Sequence, residues 1–276
     1  MSSNTAGAYP TGVPRAAAWH DHDGTRGTIG PMRILVSNDD GVYSPGIHAL
    51  ARIAQAYGDV RVVAPDVEQS AMGHAITIRR PLHYARVRID GLDAFKVDGT
   101  PADCVALGAH HWDKVDLVLT GINLGLNIGH NIWHSGTVAA AKQASFLGIP
   151  AIAFSAPWVE GDIDYRVYEP FLRRVIELFL AHPDLPLLNV NFPEAPLDLR
   201  WTKMSVRHYD GYVIPGQDPM GRTHYWFAEE PRERVEEGTD RWALEHGFVS
   251  LTPLRLDLTD DERLALAREV ARAGAG

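Results

Sequence analysis

An apolar strand that runs directly into two carboxylates is the feature that most constrains how this chain can fold. Residues 33–37 read Arg-Ile-Leu-Val-Ser and are followed by Asn38, Asp39, Asp40 and Gly41. An apolar strand packs in the middle of a sheet, so the residues after it emerge at the carboxyl edge, where open α/β folds bind ligands. Adjacent carboxylates repel each other, which favours a bound cation beside Asp39 and Asp40. A polar turn is the alternative, because Asn-Asp-Asp-Gly also suits a turn.

Strand and helix patterns alternate along the first two thirds of the chain. The predicted strands are 33–37, 60–64, 117–120, 151–155 and 187–191, with short β-rich segments within 75–97. The predicted helices are 46–57, 101–110, 135–147 and 165–181. Strands and helices that alternate at this spacing form βαβ units. The sequence therefore predicts an α/β fold with a Rossmann-like, mostly parallel sheet and helices on both faces.

The chain divides into three predicted parts. Residues 1–31 are rich in small residues and proline without periodicity, which predicts a disordered arm and makes Met32 a candidate for the true start of translation. Residues 32–200 are the predicted α/β catalytic domain. Residues 201–276 are a predicted C-terminal extension, with a β-hairpin rich in aromatic residues and a final helix. Exposed aromatics need a partner surface, so we expect this extension to serve in subunit exchange and oligomerisation.

Composition excludes several classes of partner. The net charge of −9 argues against a nucleic-acid duplex, which is bound by clustered Lys and Arg. The longest apolar runs, such as 148–156, are too short to cross a membrane, and no secretory signal pattern is evident. Cys104 is the single cysteine, which excludes a disulfide framework and a multi-cysteine zinc site. We therefore expect a cytoplasmic protein with neither a membrane nor a duplex partner.

A glycine-rich segment follows the predicted strand 117–120. Gly121, Gly125 and Gly129 recur every four residues, and Asn123 lies among them. The spacing matches neither the dinucleotide fingerprint nor the P-loop, which argues against a dinucleotide oxidoreductase. Such a loop brings backbone amides close to an anion, and Asn123 offers a neutral oxygen ligand. A flexible connection that needs positive φ angles is the alternative.

Small and hydroxylated residues open the predicted helix 135–147. Ser135, Gly136 and Thr137 lie where free backbone amides and the helix dipole favour a phosphate. An ordinary N-cap at Ser135 or Thr137 is the alternative.

The loop 65–74 follows the second predicted strand and brings Ser70 toward the aspartates. Three loops thus meet at one sheet edge, and every ligand they offer is a hard oxygen, which suits Mg²⁺ or Mn²⁺ better than zinc or copper. An acidic metal site beside an anion-binding loop favours phosphate-ester hydrolysis.

Several motifs, in order along the chain, resemble the SurE family of survival-protein nucleotidases. They are Asn38-Asp39-Asp40-Gly41 with Pro45-Gly46, Ala64-Pro65-Asp66 with Gln69-Ser70, Val97-Asp98-Gly99-Thr100-Pro101-Ala102-Asp103-Cys104, Gly121-Ile122-Asn123, Ser135-Gly136-Thr137-Val138, Leu188-Asn189-Val190-Asn191-Phe192-Pro193 and Gly238-Thr239-Asp240. The resemblance extends from Met32 to about Leu258.

The resemblance implies a Rossmann-like domain, a swapped C-terminal extension, a homodimer or homotetramer, and metal-dependent hydrolysis of nucleoside monophosphates. It implies a 5'-nucleotidase, with 3'-nucleotidase and exopolyphosphatase activity as further expectations. One divalent ion per subunit, Mg²⁺ or Mn²⁺, would be held by Asp39, Asp40, Ser70 and Asn123. The phosphate would be bound by Asn127, Ser135, Gly136 and Thr137, and the expected catalytic residues are Asp39, Asp40, Asn127 and Ser135.

The chain departs from the family's pattern around the pocket. His130, Asn131 and His134 stand where acidic residues and tyrosine are common, and Ala139 stands where glycine is common. The two histidines would either protonate a leaving group or serve a structural role. We expect a metal-activated water to attack the phosphorus, because adjacent carboxylates lack the D-x-D spacing of dehalogenase-like phosphatases. A non-catalytic nucleotide or phosphate sensor is the alternative function.

Overall fold

The computed structural model describes residues 31–205, 209–231 and 235–273. The strands are β1 (Met32–Ser37), β2 (Gly58–Pro65), β3 (Tyr84–Ile89), β4 (Leu92–Val97), β5 (Leu117–Leu124), β6 (Ala151–Ala156), β7 (Leu187–Asn191), β8 (Asp198–Trp201), β9 (Tyr209–Gln217), β10 (Thr223–Pro231) and β11 (Phe248–Pro253). The helices are α1 (Pro45–Ala54), α2 (Pro101–His110), α3 (Gly136–Phe146), α4 (Glu169–Leu180), α5 (Asp240–Glu245) and α6 (Asp261–Ala273), with 3-10 helices at Gly129–Trp133 and Tyr165–Val167. The predicted disordered arm, apart from Pro31, lies outside the described residues.

The main sheet has nine strands in the order β3-β4-β2-β1-β5-β6-β7-β11-β8. The six strands from β4 to β7 in that order pair in parallel with their neighbours. Strand β3 is antiparallel to β4, and β11 is antiparallel to β7. Strand β1 lies near the middle, where Val36 is in register with Val62 of β2 and with Leu119 of β5. The predicted mostly parallel sheet is confirmed.

Two apolar cores lie on opposite faces of this sheet. Ile47 of α1 and Leu172 of α4 pack in one core, and Val138 of α3 packs in the other. Ile34 and Leu35 are neighbours in β1 and point into different cores, as the period of two in a strand requires. A strand covered on both faces explains why β1 reads as a continuous apolar run. Helices on both faces are therefore confirmed.

The helix predicted over 165–181 is divided in the structure. Tyr165–Val167 forms a 3-10 helix, and α4 begins only at Glu169. Pro170 stands in the first turn of α4, where the missing N–H of proline costs nothing, whereas inside a longer helix it would remove a hydrogen bond. The side chain of Asp164 caps the short helix by accepting from the amide of Arg166.

The C-terminal extension contains the predicted hairpin, in which β9 and β10 pair antiparallel from Thr223↔Gln217 to Pro231↔Tyr209. Beyond the hairpin the chain returns to the main sheet, because β11 pairs with both β7 and β8. The predicted final helix corresponds to α6. A domain boundary at residue 200 stays a prediction. Across the described segments, no helix is long and apolar enough to span a membrane.

Gly46 provides a test of how tightly α1 packs on the sheet. A Cβ atom at this position would overlap the main-chain carbonyl oxygen of Ile122 in β5, which cannot rotate away. We expect Gly46→Ala to lower the free energy of unfolding by about 1–3 kcal/mol, as overpacked cores do. Gly108→Ala is the matched control, because the atoms nearest to its Cβ would be side-chain methyl groups of Leu35 and Val63, which can move. Equal losses in chemical denaturation of the two variants would contradict this packing argument.

Candidate active site

The candidate site lies at the point where the chain switches direction across the sheet. From β1 the chain passes through α1 to β2 on one side, whereas from β4 it passes through α2 to β5 on the other. The crevice outside the carboxyl ends of β1 and β5 is thus a topological switch point, the usual ligand site of open α/β sheets. Asp39 and Asp40 follow β1, and Asn123 lies near the end of β5. The predicted convergence of these loops is what the structure shows.

Asp39 lies against the first turn of α3. It is 4% exposed, and its Oδ1 accepts a hydrogen bond from the Thr137 hydroxyl. Burial raises the pKa of Asp39 above its ordinary value, while the Thr137 hydroxyl and the amides of Thr137 and Gly136 act in the opposite direction. Gly136 is required here, since a Cβ would come within 2.7 Å of the Asp39 Cβ. The helix N-terminus thus faces a carboxylate whose charge it only partly compensates.

Asp40 is the more open of the two carboxylates. Its Oδ2 accepts from the backbone amide of Leu124 at 3.3 Å, which links the end of β1 to the end of β5. Burial, followed by the neighbouring charges of Asp39 and Glu68, raises the pKa of Asp40 to about 7. Near neutral pH, ionisation of the second carboxyl of this pair is therefore unfavourable, as expected of two carboxylates that share one site.

The loop that carries Ser70 packs against the aspartates through its backbone. The amide of Gln69 donates to the Asp39 carbonyl at 2.8 Å. Ser70 itself is exposed, and its hydroxyl donates to Glu68 at 2.6 Å. The structure therefore places the predicted ligand Ser70 at the rim of the site. Its hydroxyl is bonded to Glu68 and not to Asp39 or Asp40.

Asn123 stands inside β5, because that strand continues past the predicted end at Thr120 with a register shift against β6. Its side-chain nitrogen donates to the Gly125 carbonyl at 2.6 Å, and no described residue donates to its side-chain oxygen. No group of three or more His, Cys, Asp or Glu side chains within the described ranges is placed to hold a metal. A cation here would need neutral oxygens beside the two carboxylates, and Asn123 fits that need.

Asn127 occupies a buried polar cluster at the ends of β6 and β7. Its side-chain nitrogen donates to the Ser155 hydroxyl at 2.8 Å, and its amide donates to Asn191 Oδ1 at 2.7 Å. Its carbonyl accepts from the side chains of Asn189 and Asn191 at 2.8 and 3.1 Å. The glycine-rich loop is therefore held in place at Asn127, which a flexible connection would not be. The positive φ angles named in that alternative are present at Gly121, Gly125 and Gly129.

Ser135 is the N-cap of α3, with its hydroxyl accepting from the Val138 amide at 3.0 Å. The N-cap alternative therefore describes Ser135 correctly, but not Thr137, whose hydroxyl donates to Asp39. The Thr137 carbonyl accepts from the Thr120 hydroxyl at 2.9 Å, which ties the start of α3 to β5. The first turn of α3 is thus fixed from both sides of the switch point.

Three residues near the site were not among the predicted site residues, although Asp240 belongs to the family motif Gly238-Thr239-Asp240. Glu68 acts on Asp40 by its charge. The pKa of Tyr165 is raised to about 12 by burial and then by the Asp40 charge, so this phenol lies near the carboxylate. Asp240, from the C-terminal extension, accepts from the Gly129 amide at 2.7 Å. His130 and His134 are exposed, and neither imidazole makes a hydrogen bond to a described residue.

Comparisons with known proteins agree with this geometry. Residues 34–211 match the family described as survival protein SurE. The chain is 48% identical over 235 residues to a Thermus thermophilus protein named 5'-nucleotidase SurE 1, an overlap of 83% of this chain and 93% of the relative. A Deinococcus radiodurans protein named 5'-nucleotidase SurE is 46% identical, and the alignment covers 82% of this chain and 88% of that relative. The crystal structure of the SurE protein from Aquifex aeolicus aligns with a TM-score of 0.76 at 40% identity, covering 87% of this chain and 99% of that one.

The raised pKa of Asp40 predicts a pH-dependent effect of Asp40→Asn. A carboxyl with an ordinary pKa of 3.8 and a folded pKa of about 7 holds its proton in the folded protein, so its contribution to stability falls as pH rises through that window. In metal-free buffer at pH 8 we expect the variant to gain on the order of 1 kcal/mol, or about 2–4 °C in Tm. The gain should shrink as the pH falls, and the two proteins should melt together only near the ordinary pKa of 3.8. A pH-independent gain would contradict the assignment, and Asp184→Asn, an exposed aspartate at the opposite sheet edge, is the control.

Proposed function

Because the chain belongs to the SurE family of survival proteins, we propose that it is a 5'-nucleotidase that hydrolyses nucleoside monophosphates to nucleoside and phosphate. The observation that carries the proposal is the carboxylate pair, Asp39 and Asp40, packed against the first turn of α3 at the switch point. A cation site and a phosphate site share one crevice in this arrangement. A non-catalytic sensor is not favoured, because relatives that align over most of their length are named as enzymes.

The proposed cofactor is one divalent ion per subunit, Mg²⁺ or Mn²⁺, held by Asp39, Asp40, Asn123 and Ser70. The hard oxygens of these side chains and the raised pKa of both carboxylates support it. Ser70 would have to turn away from Glu68 to join the ligands. When bound, the ion would supply positive charge to the phosphate and lower the pKa of a water.

The phosphate is proposed to lie at the N-terminus of α3, on the backbone of Gly136 and Thr137 and the hydroxyl of Ser135. The amides of this first turn, which also act on Asp39, and the helix dipole stabilise negative charge there, including the charge that develops as the ester bond breaks. Asn127 would contribute from the loop fixed by β6 and β7, where its side-chain nitrogen donates to the Ser155 hydroxyl. These residues orient the phosphorus, and the two carboxylates keep the attacking water on one side of it.

Activity on 3'-nucleotides and on polyphosphate, and a cytoplasmic location, are proposed as further properties. A nucleic-acid duplex is not among the proposed partners, given the net charge of −9, and a membrane is not, given the short apolar runs of the sequence. The proposed protein partner is a second copy of this chain, in a homodimer or homotetramer. Support comes from the hairpin, where Trp226 is 66% exposed and Phe227 is 91% exposed.

The enzymatic proposal is tested by phosphate release from a panel of 5'- and 3'-nucleoside monophosphates and polyphosphate, with and without a chelator. Asp39→Asn should lower kcat/KM by about 100-fold or more, because one carboxylate of the cation site is lost. The control is Asp184→Asn, which removes an exposed carboxylate at the other end of the sheet and should leave the rate unchanged. Full activity in the chelator would refute the metal, and unchanged activity of the Asp39 variant would refute the site.

The proposed assembly is tested on the hairpin. Phe227→Asp should shift the protein toward monomers in sedimentation equilibrium, because a charge in an apolar interface cannot be desolvated cheaply. Thr223→Asp, on the same strand and also exposed, is the matched control and should keep the wild-type state. If both variants sediment like wild type, the hairpin is not the interface.

A further inference from the structure

Asp240 is a fully buried carboxylate that lies outside the predicted site. Its Oδ1 accepts from the amide and the hydroxyl of Ser205, at 2.9 and 2.6 Å, and from the amide of Arg241 at 2.8 Å. Its Oδ2 accepts from the amide of Gly129 at 2.7 Å. A buried carboxylate is tolerated only when hydrogen bonds satisfy it, and here both oxygens have donors. One oxygen therefore holds the C-terminal extension, and the other holds the glycine-rich loop.

Asp240 lies beside the segments that precede and follow the hairpin in the chain. Ser205 precedes the hairpin, and Asp240 opens α5 beyond it. The two ends are joined by backbone hydrogen bonds from Lys203 to Gly238 at 3.0 Å and from Asp240 to Lys203 at 2.9 Å. These bonds join the segment before the hairpin to the segment after it, and Asp240 connects both to the glycine-rich loop.

The position of Gly129 in the glycine-rich loop affects the proposed phosphate site. Gly129 begins the 3-10 helix that ends at Trp133, and the amide of Ser135 donates to the Asn131 carbonyl at 3.1 Å. On the other side of Gly129, Asn127 is fixed by its bonds to β6 and β7. A shift of Gly129 would therefore move the segment between two proposed phosphate ligands, Asn127 and Ser135.

We propose that Asp240 is a positioning residue for phosphate binding, which it performs by fixing the Gly129 end of the loop. This inference rests on the proposed function only in that Asn127 and Ser135 are taken to bind phosphate. A displacement of about 1 Å in a positioning element costs up to 100-fold in rate, so one hydrogen bond at this place has a measurable effect. Asp39 and Asp40 lie on a different loop, and Asn123 stands inside β5 with its side chain bonded to the Gly125 carbonyl, so metal binding should not depend on Asp240.

Asp240→Asn removes the bond to Gly129 while it keeps the shape of the side chain. Its amide oxygen can still accept from Ser205 and Arg241, which supply three of the four donors. The amide nitrogen then faces the Gly129 N–H, and two donors cannot pair. Ser205→Ala is the matched control, because it removes a bond of the same carboxylate on the side of the extension only.

The test measures competitive inhibition by inorganic phosphate in the full-length protein with its metal. For Asp240→Asn we expect the inhibition constant of phosphate and the KM to rise about tenfold, while the metal concentration for half-maximal activity stays at the wild-type value. Ser205→Ala should leave all three within about twofold. A variant that merely folded less well would lose total activity without a change in any of these constants. An unchanged inhibition constant in Asp240→Asn, or an equal rise in Ser205→Ala, would overturn the proposal.

Hydrogen exchange keeps the proposal testable without turnover. In the wild-type protein we expect slow amide exchange in the peptide that contains Gly129, and faster exchange there in Asp240→Asn. Rapid exchange of this peptide in the wild type would overturn the proposal even if the variant failed to fold. If the wild type hydrolysed no nucleotide, the proposed function would fail, and calorimetric titration of both proteins with phosphate would still test the role of Asp240.

Discussion

Strand β1 is paired in parallel on both sides, and the position of every site residue depends on that pairing. Its register with β2 and β5 sets the carboxyl ends of these strands side by side, so Asp39 and Asp40 emerge next to the end of β5. The apolar run of β1 makes this arrangement compulsory, because a strand buried on both faces cannot slip by one residue without exchanging its two cores. The Leu124–Asp40 and Thr120–Thr137 hydrogen bonds are consequences of that register. Burial of apolar strands thus determines where the charged residues stand.

The site is the place where the fold accepts unfavourable electrostatics. Two adjacent carboxylates are held with raised pKa values, and the donors near Asp39 compensate only part of the cost of burial. Asp240 shows the contrast, since it is more deeply buried and yet both its oxygens are paired with donors. A protein can satisfy a buried carboxylate when its role is structural. Incomplete compensation at Asp39 and Asp40 is what a cation site requires, because the cation supplies the missing interaction.

Local pattern was sufficient for the parallel strands from β4 to β7 and for most helices, whereas β8 and β11 of the main sheet were not predicted. Helix α2 begins at Pro101 and ends at His110 as predicted, since proline and a capping box mark its start. The strand-edge rule alone located Asp39 and Asp40, whereas the roles of Ser70 and Asn127 came from the family resemblance. Their actual partners, Glu68 and Ser155, were not predicted. Gly129 and Asp240 are 111 residues apart in sequence, and no periodicity or turn rule connects residues at that distance. Such contacts exist only after the sheet has brought its loops to one edge.

Asp240 joins the C-terminal extension to the glycine-rich loop. Its Oδ1 accepts from Ser205, the last described residue before the hairpin, and Asp240 itself opens α5 beyond the hairpin. Both oxygens of this fully buried carboxylate have donors, so breaking the arrangement would leave a buried charge unsatisfied. The same carboxylate holds Gly129, in the loop between Asn127 and Ser135. Order at the proposed phosphate site therefore depends on a residue of the extension that is 111 positions away in sequence.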